Sequence, residues 1–309
     1  LYEHSGDEIF DITPVSASAS LTNAFSIAVS ANVVTVSATS HGRQTGDWVF
    51  FTSTATIGGN ILLGTGTYQV SVNNTNTFAI NVSTTASAAQ SSSGNGHIHY
   101  LLSTGVSNAV TGLGYGAASY QATVCASQTR AWNNPTSAGA SDFSSEITQW
   151  SLDNWGEDIV ANRRKGSIYY WDTDASTTPL RATLVSGATN STPTTVNSII
   201  VSPNDRHLIA LGSNSFNTTA SPTGTFDPMT VRWSDQEDYT NWVPSVSSTS
   251  GEVVVADGTK IVGGVRSRNA INVWTDNSLW TMQYVGPPFI FRMQQIGTNC
   301  GLISQHAAV

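Results

Sequence analysis

Short runs of apolar and β-branched residues, separated by residues that favour turns, recur along most of the chain. In the clearest series, residues 231–295, the breaks include Asp257-Gly258, Asp276-Asn277-Ser278 and Gly286-Pro287-Pro288. Strands of this length, joined by turns of about two to five residues, form antiparallel meanders. A recurring meander is typical of a β-propeller or a β-barrel. The runs that predict strands here are 231–233, 252–255, 260–265, 270–275, 279–285 and 289–295.

The same pattern precedes this series from residue 147 onwards. Turn-rich segments such as 163–166 and 202–205 bound the apolar runs, and residues 213–228 are expected to form a connection. Grouping the strands by fours predicts two blades before Val231 and one to two after it. The predicted strands are 147–152, 158–162, 167–172, 180–185, 197–201 and 208–211.

Residues 31–97 have a different pattern of apolar runs and turns, which predicts a separate small domain. Tyr68, Val70 and Val72 alternate with polar residues, as expected for a strand with one buried face. We interpret the segment as an autonomous β-barrel or β-sandwich, with the Ser/Thr/Ala tract 83–93 as its exit linker. Its predicted strands are 33–36, 48–51, 67–72 and 77–82, and its core candidates are Trp48, Phe50, Tyr68 and Phe78.

These patterns together predict an all-β fold, in which a β-propeller carries an inserted small β-barrel or β-sandwich domain. Residues 1–30 are assigned to the first propeller strands, including a hairpin over 1–13, and residues 31–97 to the inserted domain. Residues 98–309 are assigned to the blades, with a long Gly/Ser-rich loop at 103–139. The chain opens as if in the middle of a strand, so we expect an internal segment that need not contain the whole propeller.

Charge is scarce in this chain, and its balance is negative. Charged residues make up 10% of the sequence, against roughly 25% in an average soluble domain. The formal net charge of −8 argues against a nucleic-acid reader, which needs a basic surface to exchange counterions with phosphates. It is compatible with a surface along which nucleic acid passes without sticking. No apolar run approaches the ~20 residues of a membrane span, so no membrane-spanning segment is predicted.

Few residues are candidates for metal or cofactor chemistry. Cys125 and Cys300 lie far apart and predict two free, buried thiols. His97 and His99 share one strand face at a spacing that can ligate a metal, but no third ligand is nearby in sequence, so we expect solvated histidines. The glycine run 112–116 lacks the strand and helix that a phosphate loop requires. We therefore predict no metal and no cofactor.

Asp235, Glu237 and Asp238 form an acidic cluster within one turn. A turn presents carboxylates to water and backbone N–H groups, whereas a glycosidase pair faces across a cleft. Residues 234–242 also resemble the aspartate-box turn of sialidase propellers, which is structural in those enzymes. No Gly-x-Ser-x-Gly elbow, His-Glu-x-x-His motif or Walker loop is present. We predict that the protein is not an enzyme.

Arg163, Arg164 and Lys165 form the one basic cluster, at a predicted hairpin tip. Two interpretations remain open. The cluster is either a solvated turn or a contact that docks onto an acidic neighbour in an assembly.

Three blocks of sequence resemble the tail-hub or nozzle proteins of short-tailed bacteriophages, also called packaged-DNA stabilisation proteins. Residues 33–82 look like the small β module often inserted in phage tail proteins. The three blocks are Asp11-Ile12-Thr13-Pro14; residues 150–158 with 168–172; and residues 232–242 with 276–280 and 297–301.

The resemblance implies a virion protein of the phage tail, assembled in the host cytoplasm. Such proteins are similar to β-propellers that form homo-oligomers, usually hexameric rings, below the portal and adaptor rings. They line the tail channel, retain packaged double-stranded DNA and let it pass at ejection without sequence-specific binding. The family offers no catalytic residues to carry over to this chain.

The alternative is a receptor-binding or glycan-degrading phage tail protein. Such a protein needs a cleft of carboxylates and aromatic rings, which exposed Trp155 or Trp242 could line. A third hypothesis, a sialidase-like enzyme, would need arginines gathered around an acid-binding site, and the candidates are Arg206, Arg266 and Arg268.

Overall fold

The computed structural model describes residues 2–5, 8–64, 66–102, 149–174, 181–186, 191–217 and 223–308. Within these ranges the regular structure consists of β-strands, which confirms the predicted all-β class. These ranges contain no helix long and apolar enough to cross a membrane. The predicted Gly/Ser-rich loop at 103–139 lies outside the described residues. The chain divides into two compact units, and each is described separately.

The first unit begins at Val15 and is one antiparallel sheet of eight strands in the order β3-β10-β6-β7-β8-β5-β4-β9. Strand β7 pairs with β6 on one side and with β8 on the other, and so joins the two halves of the sheet. The strands are β3 (Val15–Leu21), β4 (Phe25–Ile27), β5 (Val33–Ser37), β6 (Trp48–Thr54), β7 (Thr67–Asn74), β8 (Thr77–Asn81), β9 (Gln90–Ser93) and β10 (Gly96–Leu101).

Both halves of this sheet contribute to one hydrophobic core. Alternate residues point inward, such as Val34 and Val36 on β5, as a strand with one buried face requires. Phe25 and Phe51 meet edge to face with ring centroids 5.9 Å apart, an arrangement favoured by aromatic rings. The predicted core members Phe50 and Phe78 are buried and Tyr68 is half-buried, whereas Trp48 is 46% exposed.

The limits of this unit differ from the predicted ones. Strand β3 pairs with β10, and β4 pairs with β5 and β9, so residues 15–27 belong to this sheet and not to the blades. The predicted exit linker is also part of the fold, since β9 lies within it and Ala86 is buried. Strands β3 and β9 were not predicted, because their sequences are rich in serine and lack a clear alternation of apolar and polar residues.

The second unit begins with a hairpin of β1 (Tyr2–Ser5) and β2 (Glu8–Asp11), as predicted. Asp11 ends the hairpin and forms an ion pair with Arg181 at 2.7 Å. Its other carboxylate oxygen accepts hydrogen bonds from the backbone and hydroxyl of Thr13. The hairpin is thereby joined to the later part of the same unit.

The rest of this unit contains three four-stranded antiparallel meanders, the strand topology of propeller blades. A closed propeller typically has four to eight blades, and the described residues contain three sheets of this topology. The first sheet is β11 (Trp150–Trp155), β12 (Asp158–Arg163), β13 (Ile168–Trp171) and β14 (Thr183–Leu184). The second is β15 (Val196–Val201), β16 (Leu208–Phe216), β17 (Thr223–Trp233) and β18 (Gly251–Val254). The third is β19 (Ile261–Arg266), β20 (Ile271–Thr275), β21 (Ser278–Gly286) and β22 (Ile290–Thr298).

Successive sheets pack face to face through apolar layers. One layer joins the first and second sheets, and another joins the second and third. Strands β11 and β15 also meet through hydrogen bonds. The hydroxyl of Ser151 donates to the carbonyl of Ile199 at 2.9 Å and accepts from its backbone N–H at 3.1 Å. The backbone N–H of Val201 donates to the carboxylate of Asp153 at 2.7 Å.

The blade boundaries differ from those predicted by grouping strands in order. Strands β16 and β17 extend into the segment predicted as a connection, so the second sheet lies on both sides of Val231. Asn214 supports this extension. Its side chain accepts a hydrogen bond from the Thr195 backbone N–H and donates one to the Gly224 carbonyl. Such long-range contacts leave no local trace in the sequence.

A buried arginine supports the second sheet. The side chain of Arg232, on β17, is 1% exposed, and its guanidinium donates to the carbonyls of Ser191, Asn214 and Trp242 at 3.0–3.3 Å. It lies over the rings of Phe216 and Trp242. Burial lowers the pKa of Arg232 to about 10, and the charge of Glu252 partly opposes that shift.

We predict that Arg232→Met destabilises the protein by roughly 3 kcal/mol, because three carbonyls lose charge-assisted donors in a site with little water. Urea denaturation followed by tryptophan fluorescence measures the change. Arg292→Met is the matched control, since Arg292 lies exposed on β22 and its loss should change stability by less than about 0.5 kcal/mol. Equal stability of the two variants would contradict the assigned role.

Candidate functional site

The basic cluster lies where β12 turns into β13, and it is held at several points. The backbone N–H groups of Arg164 and Lys165 donate to the carbonyls of Gln149 and Val196, and the guanidinium of Arg164 donates to the Gln149 side chain at 3.0 Å. Arg163 and Arg164 are half-buried, whereas Lys165 is exposed. The turn is therefore hydrogen-bonded to the second sheet, and Lys165 is its most accessible charge.

The acidic turn holds Asp235 at the centre of a hydrogen-bond network. One carboxylate oxygen accepts from the backbone N–H groups of Gln236 and Thr249 at 2.9 and 2.7 Å, and from the Thr249 hydroxyl at 2.6 Å. The other oxygen accepts from the Asn241 amide at 3.1 Å. Partial burial opposes ionisation, but hydrogen bonds from Thr249 and Gln236 outweigh it and lower the pKa of Asp235.

The other two acidic residues of the turn also have local partners. Asp238 accepts hydrogen bonds from the backbone and hydroxyl of Thr240, and Glu237 forms an exposed ion pair with Arg206 at 3.0 Å. The carboxylates thus stabilise the turn and do not face one another across a cleft. Trp242, at the end of this segment, is 1% exposed and packs in the layer between the first two sheets.

A buried cluster of polar side chains lies beside this turn and was not predicted from the sequence. The imidazole of His207 lies between the Asp205 carboxylate, 2.5 Å from Nδ1, and the Thr249 hydroxyl, 3.0 Å from Nε2. Asp205 also accepts from the Ser202 hydroxyl at 2.6 Å. The arrangement resembles a Thr/His/Asp triad, but the Thr249 hydroxyl also meets Asp235, which accepts its proton. His207 is fully buried, so the group joins loops and has no access to a substrate.

An aromatic pair lies close to a carboxylate in the second unit. Tyr170 and Tyr239 stack with ring centroids 4.2 Å apart, and Tyr239 meets Trp155 edge to face at 5.6 Å. The Tyr170 hydroxyl donates to Asp158. Burial, followed by that hydrogen bond, strongly raises the pKa of Tyr170. Both tyrosines are half-buried, whereas Trp155 and Trp242 are buried, so the expectation that these tryptophans are exposed is wrong.

A polar pocket of about 220 Å³ lies between the first strands of the three sheets. Arg266 forms an ion pair with Asp153 at 2.8 Å within it, and the buried hydroxyl of Ser198, which also lines it, has no hydrogen-bond partner. Arg206, another arginine considered for an acid-binding site, pairs instead with Glu237. Arg268 is exposed on the loop after β19. Arg206 and Arg266 therefore form ion pairs with two different carboxylates.

His97 and His99 lie together on one face of β10, as their spacing predicts, with ring centroids 4.7 Å apart. Across the described ranges, no three His, Cys, Asp or Glu side chains cluster in a way that could hold a metal ion. Cys300 is a free thiol, but it is exposed, so its predicted burial is wrong; it follows the end of β22 in a loop. Cys125 and the glycine run 112–116 lie outside the described residues.

Comparison with known proteins adds little to this geometry. No protein-family model matches the sequence, and no curated protein matches it. Among solved structures, the chain is similar to the phage phi92 endosialidase, with 13% sequence identity and a TM-score of 0.26. That similarity covers 92% of this chain and 44% of the endosialidase chain.

We predict that Asp235→Asn lowers the free energy of unfolding by about 1 kcal/mol at pH 7, because a carboxylate accepts these bonds more strongly than an amide. The folded state holds the pKa of Asp235 below its ordinary value of 3.8. The stabilisation is therefore complete above that value and is lost as the pH falls through the folded pKa. Urea titrations from pH 7 down to pH 3 should show the two proteins converging below about pH 4.

Glu237→Gln is the matched control for this change, since Glu237 lies in the same turn and its ion pair is exposed. It should leave stability almost unchanged. A difference between wild type and Asp235→Asn that stayed constant from pH 7 to pH 3 would contradict the assigned role of the carboxylate.

We predict that the triple charge reversal Arg163→Glu, Arg164→Glu and Lys165→Glu prevents oligomer assembly if the cluster docks onto an acidic neighbour. Lys165→Glu alone should weaken assembly, because Lys165 is the exposed member. Lys260→Glu is the control, as the chain's other lysine is also exposed. Sedimentation velocity measures the oligomer. Unchanged assembly in both the triple and single variants would leave the cluster as a structural turn.

Proposed function

We propose that this chain is a structural protein of a bacteriophage tail, part of an oligomeric nozzle or hub that retains packaged double-stranded DNA and lets it pass at ejection. In this proposal the protein is not an enzyme. It forms a homo-oligomeric ring, with six copies as the expected number, next to a portal or adaptor ring in the virion. Assembly takes place in the host cytoplasm.

The observation that carries this proposal is the position of the three sequence blocks that resemble nozzle proteins. The first block ends the hairpin of the second unit, where Asp11 pairs with Arg181. The second block contains β11 and β13, and the third contains the end of β17 and the acidic turn. The blocks therefore hold framework residues such as Arg232 and Asp235, whose side chains support the sheets. A resemblance confined to framework residues supports shared architecture more than shared chemistry.

The roles of the buried carboxylates support a scaffold without catalysis. Asp153 accepts from the Val201 backbone and pairs with Arg266, while Asp205 is bonded to His207 and Ser202. Each carboxylate is engaged by protein donors on both oxygens. Carboxylates held in this way on both oxygens are less free to exchange a proton with a substrate.

The charge balance supports a channel wall over a nucleic-acid-binding surface. The chain has 12 lysines and arginines against 20 aspartates and glutamates, a net charge of −8 that disfavours binding to phosphates. DNA that must leave quickly benefits from a surface of the same sign, because no counterion exchange holds it in place.

The second candidate is a receptor-binding or glycan-degrading tail protein. The stacked pair Tyr170 and Tyr239, half-buried beside Asp158, favours it, because aromatic rings with a nearby carboxylate are suited to sugars. The two tyrosines cover one another's faces, however, which reduces the ring area open to a sugar. The nozzle proposal rests on the three sequence blocks, and the second candidate rests on this aromatic pair.

Phage capsids assembled without this protein should lose their genome, and wild-type protein supplied in trans should restore retention. Quantitative PCR of nuclease-protected DNA measures the retained genomes. Particles that lack the protein, keep their DNA and fail to adsorb to host cells would contradict the nozzle role and favour the second candidate. Binding of the purified chain to a glycan array would support the same conclusion.

A further inference from the structure

Two imidazoles lie next to one another on β10. His97 and His99 are two residues apart on a strand, so both side chains leave the same face of the sheet. Their ring centroids are 4.7 Å apart. An imidazole nitrogen binds zinc at about 2.0–2.1 Å, so two neighbouring rings on one strand face are close enough for both to be ligands of a single ion.

The neighbouring strands supply a hydroxyl to one nitrogen of each ring. On β3, the Ser20 hydroxyl lies 3.3 Å from Nδ1 of His97, and on β6, the Thr52 hydroxyl lies 3.1 Å from Nε2 of His99. A hydroxyl can accept an N–H, which leaves the other nitrogen of that ring with its lone pair. Histidines that bind metals usually donate their second N–H to such a partner, which fixes the ring and its tautomer.

The surroundings keep the rings in place and bring no competing charge. His99 is 9% exposed and stacks on Phe50 with ring centroids 4.6 Å apart, which restrains its rotation. His97 opens onto a groove of about 630 Å³ lined by Ser20, Leu21, Thr22, residues 52–55, Asn95 and Gly96. None of these lining residues is charged. A groove without carboxylates is poorly suited to Mg²⁺ or Ca²⁺, which prefer oxygen ligands, and it leaves room for water on a metal.

We propose that His97 and His99 form a two-imidazole site for a divalent transition metal of the Zn²⁺, Ni²⁺ and Cu²⁺ class, with water completing the coordination. Ser20 and Thr52 are positioning residues that hold the rings. Metal binding needs neutral imidazoles. The proposal does not depend on the role of the protein in a phage tail, because all four residues belong to the first unit.

The test is a ZnCl₂ titration of the purified chain at pH 7.5, followed by competition with a chromophoric chelator. Wild type should bind one equivalent of Zn²⁺. His97→Gln and His99→Gln should each weaken binding by at least about tenfold, because each removes one of two ligands. Thr52→Val keeps both imidazoles and removes only the hydroxyl, and it should weaken binding about tenfold through loss of ring positioning.

His306→Gln is the matched control, since His306 is exposed in the other unit and should leave the affinity unchanged. His97 is only half-buried, so its variant keeps the test valid even if the change at buried His99 impairs folding. With Cu²⁺, the wild-type electron paramagnetic resonance spectrum should show two nitrogen ligands, and the His97→Gln spectrum should not. Absence of stoichiometric Zn²⁺ binding by wild type would overturn the proposal. Equal affinity of wild type and His97→Gln would overturn it too.

Discussion

Burial of backbone carbonyls between packed sheets is the constraint on which the second unit depends. Long connections such as the one between β17 and β18 bring carbonyls into sites that water does not reach, and an unpaired group there is costly. The guanidinium of Arg232 donates hydrogen bonds to three such carbonyls, those of Ser191, Asn214 and Trp242. In the adjacent turn, the carboxylate of Asp235 accepts hydrogen bonds from the backbone N–H groups of Gln236 and Thr249. A chain with only 10% charged residues therefore places several of its charges inside the fold.

Strand positions followed from the sequence wherever one face was apolar. Strands β19 to β22 begin and end within three residues of their predicted limits, because β-branched runs and turn residues alternate there. Strands β3 and β9 were missed because serine fills their outward positions, so little periodicity remained. The division into blades was also misplaced, since it depends on pairing between β16 and β17 across a connection with no distinctive local pattern.

Some of the candidate sites were also predictable from the sequence, and others were not. Local pattern was enough to identify the acidic turn, because a turn reveals its carboxylates in consecutive residues. It was also enough to place His97 and His99 on one face, because strand periodicity fixes that relation. The group of Asp205, His207 and Thr249 could not be predicted from the sequence. Thr249 is far from His207 along the chain, and only folding brings its hydroxyl to the imidazole. Buried Trp155 and Trp242 were misjudged because tryptophan is equally compatible with a binding surface and a core.

We propose that these sheets form part of the wall of a ring around a DNA channel. The three sheets have the strand topology of propeller blades, and the buried charged side chains form hydrogen bonds within the fold. The net charge of −8 has the same sign as that of phosphate. The most direct measurement is the symmetry of the assembled particle, seen by electron microscopy of negatively stained or frozen samples. We expect a six-fold ring with a central channel, and a free monomer with a deep cleft would contradict the proposal.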